Sequence, residues 1–164
     1  MGDNQDFSNE EITYLTEEGA AELRAELEEL INVKRPELAV KLKEAIAMGD
    51  LSENADYHDA KEQQAFLEGR IQYLERLLRN AKIISDEDRE KGVVTVGSEV
   101  TVQEDGQEPE TYRIVGPAEA NPAEGKISNE SPLGRALLGK KVRSKVKVQT
   151  PDGDVIVFKV LKIR

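Results

Sequence analysis

The chain sets 33 carboxylates against 23 lysines and arginines over 164 residues, a formal charge of −10, with one histidine and no cysteine. Disulfides, thiolate metal sites and an imidazole-clustered zinc centre within one chain are therefore excluded. No apolar run approaches the roughly 18 residues of a membrane span, and the polar, acidic start is unlike a signal peptide, so a cytoplasmic protein off the membrane is expected.

Residues 1–12 are polar. Thr16 is a candidate N-cap, with Leu15 just outside and Glu17 and Glu18 in the first turn, where they suit the helix dipole. Leu23, Leu27 and Leu30 recur at spacings of four and three. Leu38, Leu42 and Ala45 or Ile46 continue a face, so a helical segment is expected over about 16–48. Pro36 interrupts it. Proline has no backbone donor and clashes with the carbonyl four residues back, which predicts a bend; a break into two helices at Arg35 is the alternative.

Gly49 is placed to end this helix in the left-handed conformation. Either Ser52 or Asn54 can cap a second helix over about 54–82, whose stripe is Ala60, Leu67, Ile71, Leu74, Leu78 and Ala81, with Gln63 or Gln64 filling its gap. At 1.5 Å per residue the two helices are roughly 48 and 43 Å long. Joined by so short a turn, they must pack antiparallel as a coiled-coil hairpin.

After Ala81 the period changes. A charged linker, SDEDREK at 85–91, precedes strand-like runs at 93–96, 99–102, 111–115, 142–149 and 155–163. The PDGD at 151–154 is a hairpin turn, and Ser131-Pro132 starts a short helix reaching about Leu138 and ended at Gly139. The chain is therefore α+β. A long N-terminal antiparallel coiled-coil hairpin, 1–84, is followed by a small, mostly antiparallel-sheet domain, 92–164. The charge divides between them: residues 1–90 hold 23 acidic and 11 basic side chains, the remainder 10 and 12. Such an acidic first half argues against autonomous binding to a nucleic acid, although local basic clusters can still meet a backbone.

The turn between the helices, GDLSEN at 49–54, carries Asp50 and Glu53. Carboxylates three residues apart across a turn can converge on one hard cation, but two oxygen donors are too few for a protein-only Mg²⁺ site. The tip can complete another protein's metal site, where paired ions activate water and stabilise a phosphodiester under in-line attack. Capping and solubility explain the same acids more simply, and Asp56 and Asp59 read as favourable first-turn charge. His58 has no pairable nucleophile, so an exposed or packed histidine is the simpler reading. Tyr57 either stacks on a nucleotide or partner side chain or packs at the narrow tip. Lys34, Arg35, Lys41 and Lys43 form a basic segment that faces a phosphate backbone or an acidic channel, or pairs locally with Glu37 and Glu44.

These residues resemble the bacterial GreA-type transcript cleavage factors. LTEEG at 15–19, KRPEL at 34–38, GDLSENADYHDAKEQQAFLEGRI at 49–71, YRIVGPAEA at 112–120 and SPLGRALLGK at 131–140 match family signatures in order, from Leu15 onward. The resemblance implies a projecting coiled coil followed by an FKBP-like domain that docks on RNA polymerase, while the coiled coil enters the polymerase's secondary channel. It implies that Asp50 and Glu53 help hold a catalytic Mg²⁺ at the polymerase active centre, with no cofactor stably bound by the chain itself. The acids then stimulate hydrolysis of backtracked RNA near its 3′ end, the polymerase remaining the catalyst. Asn54, Asp56 and Tyr57 support the tip, and Glu119, Asn121, Ser131 and Pro132 are candidates for docking; a turn-and-cap role for Ser131-Pro132 is the alternative. The chain departs from the family in having Asn121 where EAD is frequent and Arg143-Ser144 where Gly-Asp is frequent. A monomer is expected. Two other readings stay open: a channel-blocking regulator that does not promote cleavage, and a helical-arm chaperone or adaptor, which would need an exposed apolar clamp.

Overall fold

The computed structural model describes residues 12–50 and 53–164. Ser52, one of the two candidate caps, lies outside them. By its contacts the chain divides into two compact units, Ala20–Asn80 and a second that joins the segment ending at Gly19 to Ala81–Arg164.

The hairpin's first limb is α1 (Glu17–Glu29), a π-helical segment (Leu30–Lys34) and α2 (Arg35–Ala47); its second is α3 (Ala55–Asn80). Glu29, Lys34 and Arg35 all keep right-handed helical dihedrals, so the limb is not broken at Arg35. The Arg35 amide donates to the Leu30 carbonyl, five residues back. This wider winding relieves the clash between the Pro36 ring and the Asn32 carbonyl. It also leaves Pro36 in the first turn of α2, where a missing donor is tolerated. The obstacle predicted at Pro36 is thus absorbed by a π segment just before it.

Leu23, Leu38, Ala45, Ala60, Ile71, Leu74 and Leu77 are buried. Of the two candidates Ala45 and Ile46, Ala45 is the buried one; the stripe differs from expectation at Leu77, which is buried where Leu78 is only half so. Two forked ion pairs tie the limbs together on the outside. Arg35 Nε and Nη2 donate to Glu68 at 2.8 Å each, and Arg70 Nε and Nη2 donate to Glu26 at 2.8 and 3.0 Å.

The second helix stops at Asn80, not at 82. Ala81–Ile84 form a short strand, β2, that pairs in parallel with β1 (Thr13–Thr16), in register Thr13 to Ala81 and Thr16 to Ile84. This pairing between distant segments overrides the helical period that Ala81 continues. The remaining strands, β3 (Glu99–Glu104), β4 (Glu110–Val115), β5 (Lys126–Ser128), β6 (Lys145–Gln149) and β7 (Val155–Ile163), form one sheet in the order β5-β4-β3-β7-β6. The sheet is mostly antiparallel, as expected; β4 and β5 are the one pair within it that runs parallel, which makes it mixed. Between them, Pro117 and Pro122 each open a short 3-10 turn in the segment that brings the chain back to start β5 in the same direction.

Val94, Val100, Val102, Ile114, Leu137, Val146 and Val160 form one buried cluster in this domain. Leu137 comes from α4 (Pro132–Leu137), which Ser131 caps as expected. Residues 93–96 are not a strand. Val94 is held by the loop after α4, its amide donating to Lys140 and its carbonyl accepting from Gly139, while Thr95–Ser98 close a turn with Gly97 at φ 93°. β6 likewise begins at Lys145 and not at 142, because a turn over Lys141–Ser144 precedes it.

Candidate functional site: the acidic hairpin tip

Gly49 leaves α2 with φ 113°, the positive value expected of it, immediately before Asp50. Asn54 then restarts the helix. Its Oδ1 accepts from the Tyr57 amide at 3.1 Å, the N-cap geometry, and its Nδ2 donates to the Ala45 carbonyl at 2.7 Å, across the turn on the other limb. One side chain thus satisfies an orphan donor of α3 and an end carbonyl of α2. Asp50 and Glu53 are both exposed, framed by a glycine turn on one side and this double bond on the other.

Asp56 lies exposed in the first turn of α3. Tyr57 is half-buried and meets exposed His58 edge to face, with ring centres 5.6 Å apart. Ile46 and Met48 are 50% and 72% exposed, so the tip has an apolar flank that its alanines do not suggest. In the basic segment, Arg35 is engaged by Glu68, and Lys34 lies 4.0 Å from Glu37. Asp50 and Glu53 offer the hard oxygens that Mg²⁺ prefers, but among the described residues no three His, Cys, Asp or Glu side chains gather as a metal-holding group. The donor set fits a shared Mg²⁺, with most ligands from elsewhere.

The docking candidates fall into two kinds. Asn121 and Pro132 are exposed. Ser131 is committed to its own helix, its Oγ accepting from Gly134 N at 3.1 Å and donating to the Ser128 carbonyl at 2.7 Å. Glu119 has an internal task that sequence did not reveal. Its carboxylate accepts from the Thr16 amide at 2.8 Å and the Thr16 hydroxyl at 2.5 Å, while the same hydroxyl accepts from Gly19 N at 3.1 Å. Thr16 is the N-cap predicted for α1, and Glu119 holds it in place. Nearby, Arg113 donates to Glu18 at 2.6 Å. A Cβ on Gly116 would lie 1.7 Å from the Tyr14 carbonyl oxygen, so glycine is what lets β1 seat there.

The described residues thus combine a helical hairpin that bears exposed carboxylates at its turn with a sheet domain. The family profile "Transcription elongation factor, N-terminal" matches residues 13–83, and "Transcription elongation factor, GreA/GreB, C-term" matches residues 89–164. The Chloroflexus aggregans protein named transcription elongation factor GreA is 54% identical, covering 94% of this chain and 99% of its own length. Its namesake in Bacillus subtilis is 52% identical over 96% and 99%. The solved structure of the Thermus thermophilus GreA factor homolog Gfh1 is 32% identical over 93% and 99%, with a TM-score of 0.44. The chain belongs to the GreA/GreB family of transcription elongation factors.

Proposed function

We infer that this protein rescues backtracked transcription complexes: it binds RNA polymerase, inserts its coiled coil into the secondary channel and stimulates cleavage of the nascent RNA. It is not itself an enzyme; the polymerase performs the hydrolysis. The observation that carries this reading is the framed acidic pair at the hairpin tip, in a chain matching the family over both of its parts.

Asp50 and Glu53 are the residues that act at the active centre, beside the RNA 3′ end. They would hold Mg²⁺ jointly with the polymerase; when bound there, the ion neutralises phosphate oxygens and lowers the pKa of an attacking water. Each carboxylate would contribute a negatively charged oxygen to that shared site. Asn54 makes that placement cheap in entropy, because bonding both limbs fixes the chain direction right after Glu53. Asp56 and Tyr57 support the tip through first-turn charge and packing. The sheet domain, with the FKBP-like character the resemblance implies, docks on the polymerase, and exposed Asn121 and Pro132 are its foremost contact candidates. Glu119 and Ser131 shape that surface from within. The protein acts as a cytoplasmic monomer.

The test is RNA cleavage in purified backtracked complexes at fixed Mg²⁺, with wild type and D50A/E53A, binding being measured in parallel. Stimulation by wild type that disappears in the double variant while binding survives is the expected result. Tight binding without any wild-type stimulation would overturn it and favour a channel-blocking regulator.

A further inference from the structure

One face of α3 carries an aromatic pair that the hairpin leaves uncovered. Phe66 is 73% exposed, more than any other large apolar side chain among the described residues, and Tyr73 is 43% exposed. At a spacing of seven residues they share a helical face, and Gly69 lies between them on it. Tyr73 is held in place. The Arg70 guanidinium lies over its ring, 5.3 Å from the centroid, and is itself fixed by its forked bond to Glu26 on the other limb.

Gly69 has no task inside the hairpin. It is the one glycine in the 26 residues of α3, its φ is not positive, and a Cβ built on it would meet nothing within 4 Å. After proline, glycine is the residue least suited to a helix interior. Neither close packing nor a turn therefore accounts for it, whereas a partner passing close over the helix does. A single exposed phenylalanine is ordinary. Beside a pinned tyrosine and an open glycine, Phe66 is part of a shaped surface.

We propose that Phe66, Gly69 and Tyr73 form a seat for an apolar-faced helix of RNA polymerase in the wall of the channel that the arm enters. The seat rests on the function proposed above and adds to it a grip on the arm's flank, separate from the acids of the tip. Seven residues set the two aromatics about 10 Å apart along the axis, close to the width of one helix. A helix crossing over Gly69 would thus be flanked by both rings. Phe66 is eleven residues past Ala55, about 17 Å along α3 from its start at the tip, so the seat travels in with the acids. Aromatic and arginine side chains are what anchor protein interfaces. Exposed Glu62, one turn before Phe66 on the same face, would repel the phosphates of a nucleic acid.

A benzophenone photo-crosslinker at position 66 of the full-length protein, bound to backtracked polymerase complexes, reports what occupies the seat. A crosslink to a polymerase subunit is expected; a crosslink to the RNA, to a second copy of the chain or to nothing would overturn the proposal. F66S/Y73S is then titrated into the same complexes. The concentration that gives half-maximal cleavage should rise about tenfold, while the rate at saturation and the helix content stay those of wild type. Gly69→Gln should also raise that concentration, yet melt no lower than wild type, a split that a merely structural glycine would not give. Unchanged titrations for both variants would overturn the seat and leave the cleavage function standing. A wild type that binds without stimulating cleavage would overturn that function alone, because the crosslink at position 66 still decides the seat.

Discussion

The central cluster of the sheet domain and the buried positions of the hairpin are similar in number but arranged in opposite ways. In the sheet domain, seven apolar residues from four strands, α4 and the loop at Val94 converge on one cluster, and most are wholly buried. In the hairpin, a comparable number are strung along limbs as long as the 26 residues of α3, and two of them are alanines near the tip. Convergent burial makes a domain that stands or falls together. Serial burial makes an arm in which each turn depends mainly on its neighbours, so the tip can carry exposed charge without endangering the rest. The difference suits a division of labour between holding and reaching.

Leu137→Ala should strike the sheet domain hardest. It removes a fully buried side chain shared by α4 and the sheet, and a loss of about 2–5 kcal/mol in urea unfolding is expected. Gly116→Ala comes next, because its new methyl must displace the Tyr14 backbone; about 1–3 kcal/mol is expected, with faster amide exchange in β1 and β2. Thr16→Ala removes the α1 cap and leaves Glu119 with only the Thr16 amide, for a loss of about 1 kcal/mol. Asn54→Ala sharpens the contrast. A cap loss of about 1 kcal/mol is expected, but confined to amide exchange around the turn, with the melting of the sheet domain unchanged. A global loss would mean the arm is not built serially.

The smallest effect concerns acid. The Arg35 hydrogen bond holds the Glu68 carboxyl below its ordinary value of 4.5. A depressed folded value means that its contribution is complete above about 4.5 and drains away as the pH falls through the folded value. Helicity of the arm should therefore decline slightly below pH 4.5 in wild type, and less in Glu68→Gln. The pair is exposed, so the effect should be small and should fade with added salt.

Much of this arrangement can be read from local signals. Gly49, the alternation of β7, the Ser131 cap and the PDGD hairpin each state their geometry within a few residues. What escapes is non-local or too short to have a period. The four-residue strands β1 and β2 are far apart in the chain, and Ala81 also continues a helical stripe. β5 has only three residues. Leu77 and Leu78 compete for one inward position, and the π segment before Pro36 changes the winding that any fixed period assumes. At the site, the candidate acids were legible and Asn54 was one of two legible caps, but its bond to Ala45 and the grip of Glu119 on Thr16 depend on contacts that no spacing encodes. The alternating lysines of KVKVQ are plain in the sequence, yet the opposition of Lys145 to Lys159 across the hairpin needs the register.

The central claim is that the tip works by contributing ligands to a shared ion, and a Mg²⁺ titration of cleavage in backtracked complexes tests it most directly. At saturating concentrations of each protein, wild type should lower the Mg²⁺ needed for half-maximal cleavage, and D50A/E53A should bind but need as much Mg²⁺ as polymerase alone. If both proteins give the same Mg²⁺ dependence and differ only in maximal rate, Asp50 and Glu53 act in some other way and the account is contradicted.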